Sequence, residues 1–196
     1  MIKLGIFILP NKSIKNKILN LKKIVKKKFG SQTYLNHLPH CTIYVFNTAK
    51  SNLRFLKKIK FKIHIKNKFF KITKTDIFYN DPVTKGNTYI LKINKNNFLK
   101  KLQLSILKNF NKYSQKKKIK FINKTMKKNY NIYGYPFINS NWKPHFTIAS
   151  ISKKKDQINF KKLFRKLNTT YKQTVSQIYL YKIKKNQHKL ICKIKI

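Results

Sequence analysis

Two stretches of this chain place a histidine and a threonine two positions apart in the same five-residue setting. They are Pro39-His40-Cys41-Thr42-Ile43 and Pro144-His145-Phe146-Thr147-Ile148. Each lies in an apolar run, and in an extended strand residues i and i+2 share a face. His40 and Thr42 would therefore project together, as would His145 and Thr147. Cys41, Ile43, Phe146 and Ile148 would turn toward a core. Two such strands brought face to face give two imidazoles and two hydroxyls around one small cavity. Imidazole titrates near neutral pH, so a neutral copy and a protonated copy can coexist and divide the proton transfers of a phosphate reaction without a metal. One His-x-Thr would carry little weight. Two copies in matching strand contexts mark a repeated functional element.

Composition narrows the chemistry. The chain has 196 residues and a net charge of +45, with three acidic residues in all, Asp76, Asp81 and Asp156. Sites for magnesium or calcium need clustered oxygen ligands, and a two-metal phosphoesterase or a glycosidase needs paired carboxylates. Three scattered aspartates supply neither, and no zinc-ligand spacing is present. We therefore expect no metal and no cofactor. The excess of lysine suits a polyanionic partner, nucleic acid before anionic membrane. The two cysteines, Cys41 and Cys192, lie in apolar strand-like runs and read as buried thiols. No segment approaches transmembrane length, and the first ten residues read as a core strand rather than a signal peptide, so cytoplasmic residence is expected.

The remaining pattern describes what must hold the motifs. With 41% hydrophobic residues, including 15 Phe and 11 Tyr, the chain can bury a core as one domain over residues 1–196. Residues 2–9 read as a buried strand, followed by a helix capped by Ser13 and ended at Gly30. The first motif strand covers 40–46. A short helix capped by Ser51 follows, then alternating segments at 61–65 and 69–78, turns at 80–82 and 86–87, and a strand at 89–93. Asn96 or Asn97 caps a helix through Phe110. Residues 114–135, rich in Lys, Asn and Tyr, read as a basic insertion or arm, partly mobile when free. The second motif strand runs over 145–151. A helix capped by Asp156 follows, and strands at 175–183 and 189–196 close the chain as a hairpin around Asn186-Gln187. The order implies an α+β fold of two pseudo-symmetric lobes, each an antiparallel sheet with flanking helices, with one motif per lobe and the active site in the central cleft.

These features together resemble the 2H phosphoesterase superfamily, which is defined by two His-x-Thr or His-x-Ser motifs, and within it the 2′-5′ RNA ligase-like group. The likeness includes the opening strand and helix, the Lys143-Pro144-His145-Phe146-Thr147 form of the second motif, and the closing hairpin from Ser176 to Ile194. It spans nearly the whole chain. The basic segment 114–135, the scarcity of acids and Cys41 inside the first motif depart from it. The resemblance implies a cyclic phosphodiesterase acting on 2′,3′-cyclic phosphate or 2′-5′ linked RNA ends, with ligation as the reverse direction. His40 and His145 would be general acid and base, and Thr42 and Thr147 would donate hydrogen bonds to the non-bridging oxygens. The expected partner is RNA or an oligonucleotide with a cyclic phosphate end, and the expected state is a monomer. An RNA-binding protein of the same fold without turnover, and a small cyclic-nucleotide phosphodiesterase, are the alternatives.

Four further residues are substrate-binding candidates. Tyr44 lies one strand step beyond Thr42. Trp142 and Lys143 precede the second motif and could stack a base or hold a phosphate. His37 is close to the first motif but out of its strand register. His64 and His188 read as ordinary strand or turn histidines.

Overall fold

A computed structural model describes residues 1–60, 64–117, 123–167, 169–184 and 187–196. Among the described residues, eight strands form two four-stranded antiparallel sheets. The first sheet has the order β2 (Cys41–Thr48), β1 (Ile2–Ile8), β7 (Gln177–Lys184), β8 (Gln187–Lys195). The second has the order β5 (His145–Ile151), β4 (Asn87–Ile93), β3 (Phe69–Phe78), β6 (Tyr171–Thr174). Among the described residues, five α-helices complete the α+β fold: α1 (Lys12–Phe29), α2 (Leu53–Leu56), α3 (Asn97–Phe110), α4 (Lys124–Tyr133) and α5 (Lys154–Arg165).

Helices tie the sheets to one another. Helix α1 leaves the first sheet and packs against β5 of the second, while α3 leaves the second and packs against β2 of the first. Ile14, Ile18, Leu21 and Val25 follow helical spacing and form the buried stripe of α1. On α5, Phe160 and Phe164 meet the Tyr89 ring edge-on at 4.7 and 5.2 Å. Phe110 of α3 meets Phe46 at 6.1 Å. Burying each such ring contributes about 1.5–3 kcal/mol relative to exposure.

Each motif lies at an edge strand, and each edge makes one further backbone bridge. Thr33 pairs with Ser150 along β5, and Gln115 pairs with Asn47 along β2. These bridges occupy backbone groups that an open edge would offer to another chain.

Some sequence-based expectations change. Asn11, not Ser13, caps α1, its side-chain oxygen accepting from the Ile14 amide at 2.9 Å. Helix α5 starts at Lys154, and Asp156 lies in its first turn rather than at its cap. The expected strand at 175–183 is β7, and the sequence reading missed β6, which precedes it and belongs to the second sheet. Within 114–135 the described residues are docked. Asn123 caps α4, Gly134 ends it in a left-handed conformation (φ 67°), and the Tyr130 hydroxyl accepts from the Lys117 amide at 2.7 Å. Residues 118–122, most of the expected strand at 61–65, and Asn186 of the closing turn lie outside the described residues. No helix among the described residues is long and apolar enough to cross a membrane.

Candidate functional site

The two motifs are built alike. In β2, Phe7 pairs with Thr42 and Ile6 with Tyr44, so Ile43 is an extra, bulged residue. In β5, Ile90 pairs with Thr147 and Tyr89 with Ala149, so Ile148 is the extra residue. A bulge re-aims the side chains on either side of it. The same irregularity thus follows each threonine by one position. The Ile43 carbonyl that the bulge exposes is taken up by the buried Gln103 side chain at 3.1 Å.

The histidines are held identically. His40 Nδ1 lies 2.6 Å from the Leu38 carbonyl, and His145 Nδ1 lies 2.6 Å from the Lys143 carbonyl. A carbonyl oxygen only accepts, so each Nδ1 carries the hydrogen and donates it. In the neutral ring Nε2 is then a bare base, and in the protonated ring it is an acid. Each ring also has an aromatic neighbour from its own sheet. Phe7 lies 4.1 Å from His40, and Phe78 lies 5.0 Å edge-on from His145.

Contacts across the two edges bring the motifs together. The Trp142 indole N–H donates to the Thr42 carbonyl at 2.9 Å, and β2 packs against β5. The Thr42 and Thr147 hydroxyls, both half-buried, have no hydrogen-bond partner among the described residues. Two imidazoles in one tautomer and two uncommitted hydroxyls therefore share one region.

Electrostatics distinguish the two histidines. Burial pushes His40 down to about 4, against the Leu38 carbonyl that raises it, and His188, His145 and His37 add repulsion. Burial also lowers His145, but the Lys143 carbonyl and the charge of Asp81 oppose the shift. Asp81 is fixed by accepting from the Thr88 hydroxyl at 2.6 Å. Beside it on the second sheet, Lys92 pairs with Asp76 at 3.1 Å. Burial raises Asp76, yet the Ile77 amide and Lys92 outweigh it and hold the carboxyl below its usual range. Burial pushes the Cys41 thiol up to about 12, so it remains protonated and unreactive.

The substrate-binding candidates divide. The bulge at Ile43 places Tyr44 on the face opposite Thr42. Tyr44 is fully buried, stacks on Phe46 at 4.9 Å and donates its hydroxyl to the Tyr133 carbonyl, so it is a core residue rather than a cavity wall. Trp142 is 4% exposed with its N–H committed to Thr42, which leaves no open ring for a base and makes it a positioning residue. Lys143 is exposed; its carbonyl holds His145 and its ammonium lies 5.8 Å above the Phe78 ring. His37 lies 5.8 Å from His188, which itself meets His40 at 5.1 Å. Sequence reasoning read His188 as an ordinary strand or turn histidine and passed over Phe7 and the buried Lys22. Lys22 Nζ donates to the Tyr34 and His37 carbonyls at 2.6 and 2.7 Å and so fixes the loop that enters the first motif. Only the helical spacing of Lys22 with Ile18 and Val25 hinted at its buried position. Among the described residues no group of three or more His, Cys, Asp or Glu could hold a metal ion.

No family model and no curated protein sequence matches the chain. Among solved structures it is similar to the protein TT0787 of Thermus thermophilus, with a TM-score of 0.59 and 12% identity over 98% of this chain and 97% of that one. At this identity the likeness concerns the fold, which the two chains share along almost their full lengths.

Proposed function

We propose that this chain is a metal-independent phosphodiesterase of the 2H phosphoesterase type, acting on 2′,3′-cyclic phosphate or 2′-5′ linked ends of RNA or RNA-derived nucleotides. The observation that carries the reading is the paired geometry of His40 and His145, each with Nδ1–H donated to the carbonyl two residues upstream. Both rings then present Nε2 for proton transfer. One takes the proton of the attacking water or ribose hydroxyl, and the other returns a proton to the leaving oxygen as the P–O bond breaks. Thr42 and Thr147 donate to the non-bridging oxygens as charge develops. The net charge of +45 supports a polyanionic substrate, since lysines that meet phosphates release counterions.

The test is turnover of an oligonucleotide with a 2′,3′-cyclic end in the presence of EDTA. The expected result is ring opening to a phosphomonoester at a rate EDTA does not change. Alanine at His40 or His145 should lower kcat by roughly 10²–10⁴. Valine at Thr42 or Thr147 should lower it about tenfold or more. Wild-type protein that binds the oligonucleotide and leaves its end intact would show a binding protein instead.

A further inference from the structure

His188 reads in the sequence as an ordinary strand residue, yet it closes a cluster of imidazoles. Its ring lies 5.1 Å from His40 and 5.8 Å from His37, edge-on to both. Phe7 joins them, 4.1 Å from His40 and 5.5 Å from His188, and Tyr181 lies 5.6 Å from Phe7. Strand register puts these groups on one face of the first sheet. Phe7 pairs with Thr42, Gly5 with Tyr181, and Ile183 with His188. Directly paired residues point to the same side, and so do alternate residues along a strand. The face that carries Thr42 therefore carries His188, and the cluster is continuous with the candidate site.

The charges on the cluster's own sheet are positive, while Asp81, in the turn after β3, acts on His145 and on Tyr34, which meets His37 edge-on at 5.1 Å. Lys22 lies beneath the His37 carbonyl, and Lys3 and Lys193 share the sheet face by register. The ion pair of the described residues, Lys92 with Asp76, belongs to the other sheet. His188 has no hydrogen-bond partner among the described residues. Burial lowers it and His37 lowers it further, so its ring is neutral at neutral pH. Three imidazoles this close disfavour one another's protonated forms, and an added anion would offset that repulsion. Phosphate oxygens would do so, and each ring would then gain a proton and a charge-assisted hydrogen bond. A stacked base is a poorer occupant, since Phe7 is 1% exposed and its ring is already covered by His40.

We propose that His188, together with His37, forms a second phosphate subsite beside His40, which takes the phosphate group next to the reacting one. The substrate class is thus a nucleotide or oligonucleotide end carrying at least two phosphate groups. The inference rests on reading His40 as a histidine that acts on phosphate.

Two product-like ligands test it, adenosine 2′-monophosphate and adenosine 2′,5′-bisphosphate, by calorimetry at 150 mM salt and at pH 6 and 8. The wild-type chain should prefer the bisphosphate by roughly tenfold at pH 6, and by much less at pH 8 as imidazole loses its proton. In His188→Ala and in His188→Gln the ratio of the two affinities should fall to within about twofold at both pH values. Equal affinities in the wild-type chain, or a preference that survives both substitutions as general lysine attraction, would overturn the subsite. A preference for the nucleoside over inorganic phosphate with no effect of the second phosphate would point to base stacking and would also overturn it. The His188 ring protons, followed by NMR with inorganic phosphate, give a readout that needs no turnover. A downfield shift there in a chain that opens no cyclic phosphate would retain the anion site and reject the enzyme. Turnover without the shift would do the reverse.

Discussion

The Trp142 indole N–H donates to the Thr42 carbonyl at 2.9 Å, so the segment that enters the second motif grips the strand that carries the first. This bond crosses 100 residues of sequence and two sheet edges. It sets the spacing of the two histidines more directly than any backbone pairing, because β2 and β5 belong to different sheets. Replacing Trp142 by Phe keeps a ring in the site but strands the Thr42 carbonyl. Unfolding free energy should fall by about 1–3 kcal/mol. A displacement of the motifs by a fraction of an ångström should also lower kcat by about tenfold or more, with a smaller change in KM. Urea unfolding and steady-state kinetics on the same preparation check both, and a stable but fully active variant would deny Trp142 its positioning role.

The lowered histidines make the fold sensitive to acid. In the unfolded chain His40 titrates near 6.5, and in the fold burial holds it at about 4. Between those values the unfolded state binds a proton that the native state does not, so stability rises with pH across this window. The full contribution is present above pH 6.5 and is lost as pH falls toward 4. For His40 it amounts to about 2 kcal/mol, allowing for the ring's partial contact with water. His145 and His188 are lowered in the same sense and add to the slope. Unfolding in urea at pH 7.5 and 5 should show the loss, and His40→Gln should reduce it. An equal loss in that variant would assign the slope to other groups.

Gly5 is required by the ring two residues on. A Cβ at this position would lie 2.3 Å from Cζ of Phe7 and 2.9 Å from Cδ1 of Ile183. The Phe7 ring folds back over Gly5 and reaches both His40 and His188 from there. Gly5→Ala should therefore overpack the site, costing about 1–3 kcal/mol. It should lower kcat because the displaced ring is the one against His40. Adding Phe7→Leu to Gly5→Ala should recover stability by removing the clashing atoms. Failure of that recovery would place the strain elsewhere.

The sequence was most informative where chemistry and periodicity coincide. The twin motifs, their strands, the Asn96 cap of α3 and the α+β order could all be read from spacing, and they correspond to β2, β5, α3 and the two sheets. Tyr44 could not be placed correctly, because a bulge at Ile43 reverses the side it faces and no residue type announces a bulge. His188 is distant from His40 in sequence, and only the adjacency of β7 to both β1 and β8 brings it near. The type of Trp142 suits a stacking residue as well as plain packing. Its burial follows from the meeting of two sheet edges, which strand patterns do not encode. Helix α4 was masked by its own composition, since Lys and Asn suggest an exposed arm even where Asn123 and Gly134 supply both caps.

Lys22 gives the last prediction. It is 5% exposed on α1, and its ammonium holds the carbonyls of Tyr34 and His37. Tyr34 has φ 73°, a left-handed conformation that a bulky residue adopts only when its surroundings impose it. Lys22 thus fixes a strained loop that delivers His37 to the imidazole cluster. Burial lowers the amine to about 8. Between there and its usual value near 10.5 the unfolded chain binds more protons, so stability should rise with pH over that alkaline window. Lys22→Met keeps the buried stem but leaves two carbonyls without a donor, at a cost of about 2 kcal/mol or more. The variant should lose the alkaline slope. It should also lose part of the preference for a bisphosphate ligand, since His37 is released while His40 remains tied to Leu38. Calorimetry at pH 6 with the two adenosine phosphates reads this directly. An unchanged preference in a destabilised variant would show that His188 holds the second phosphate without help from the loop.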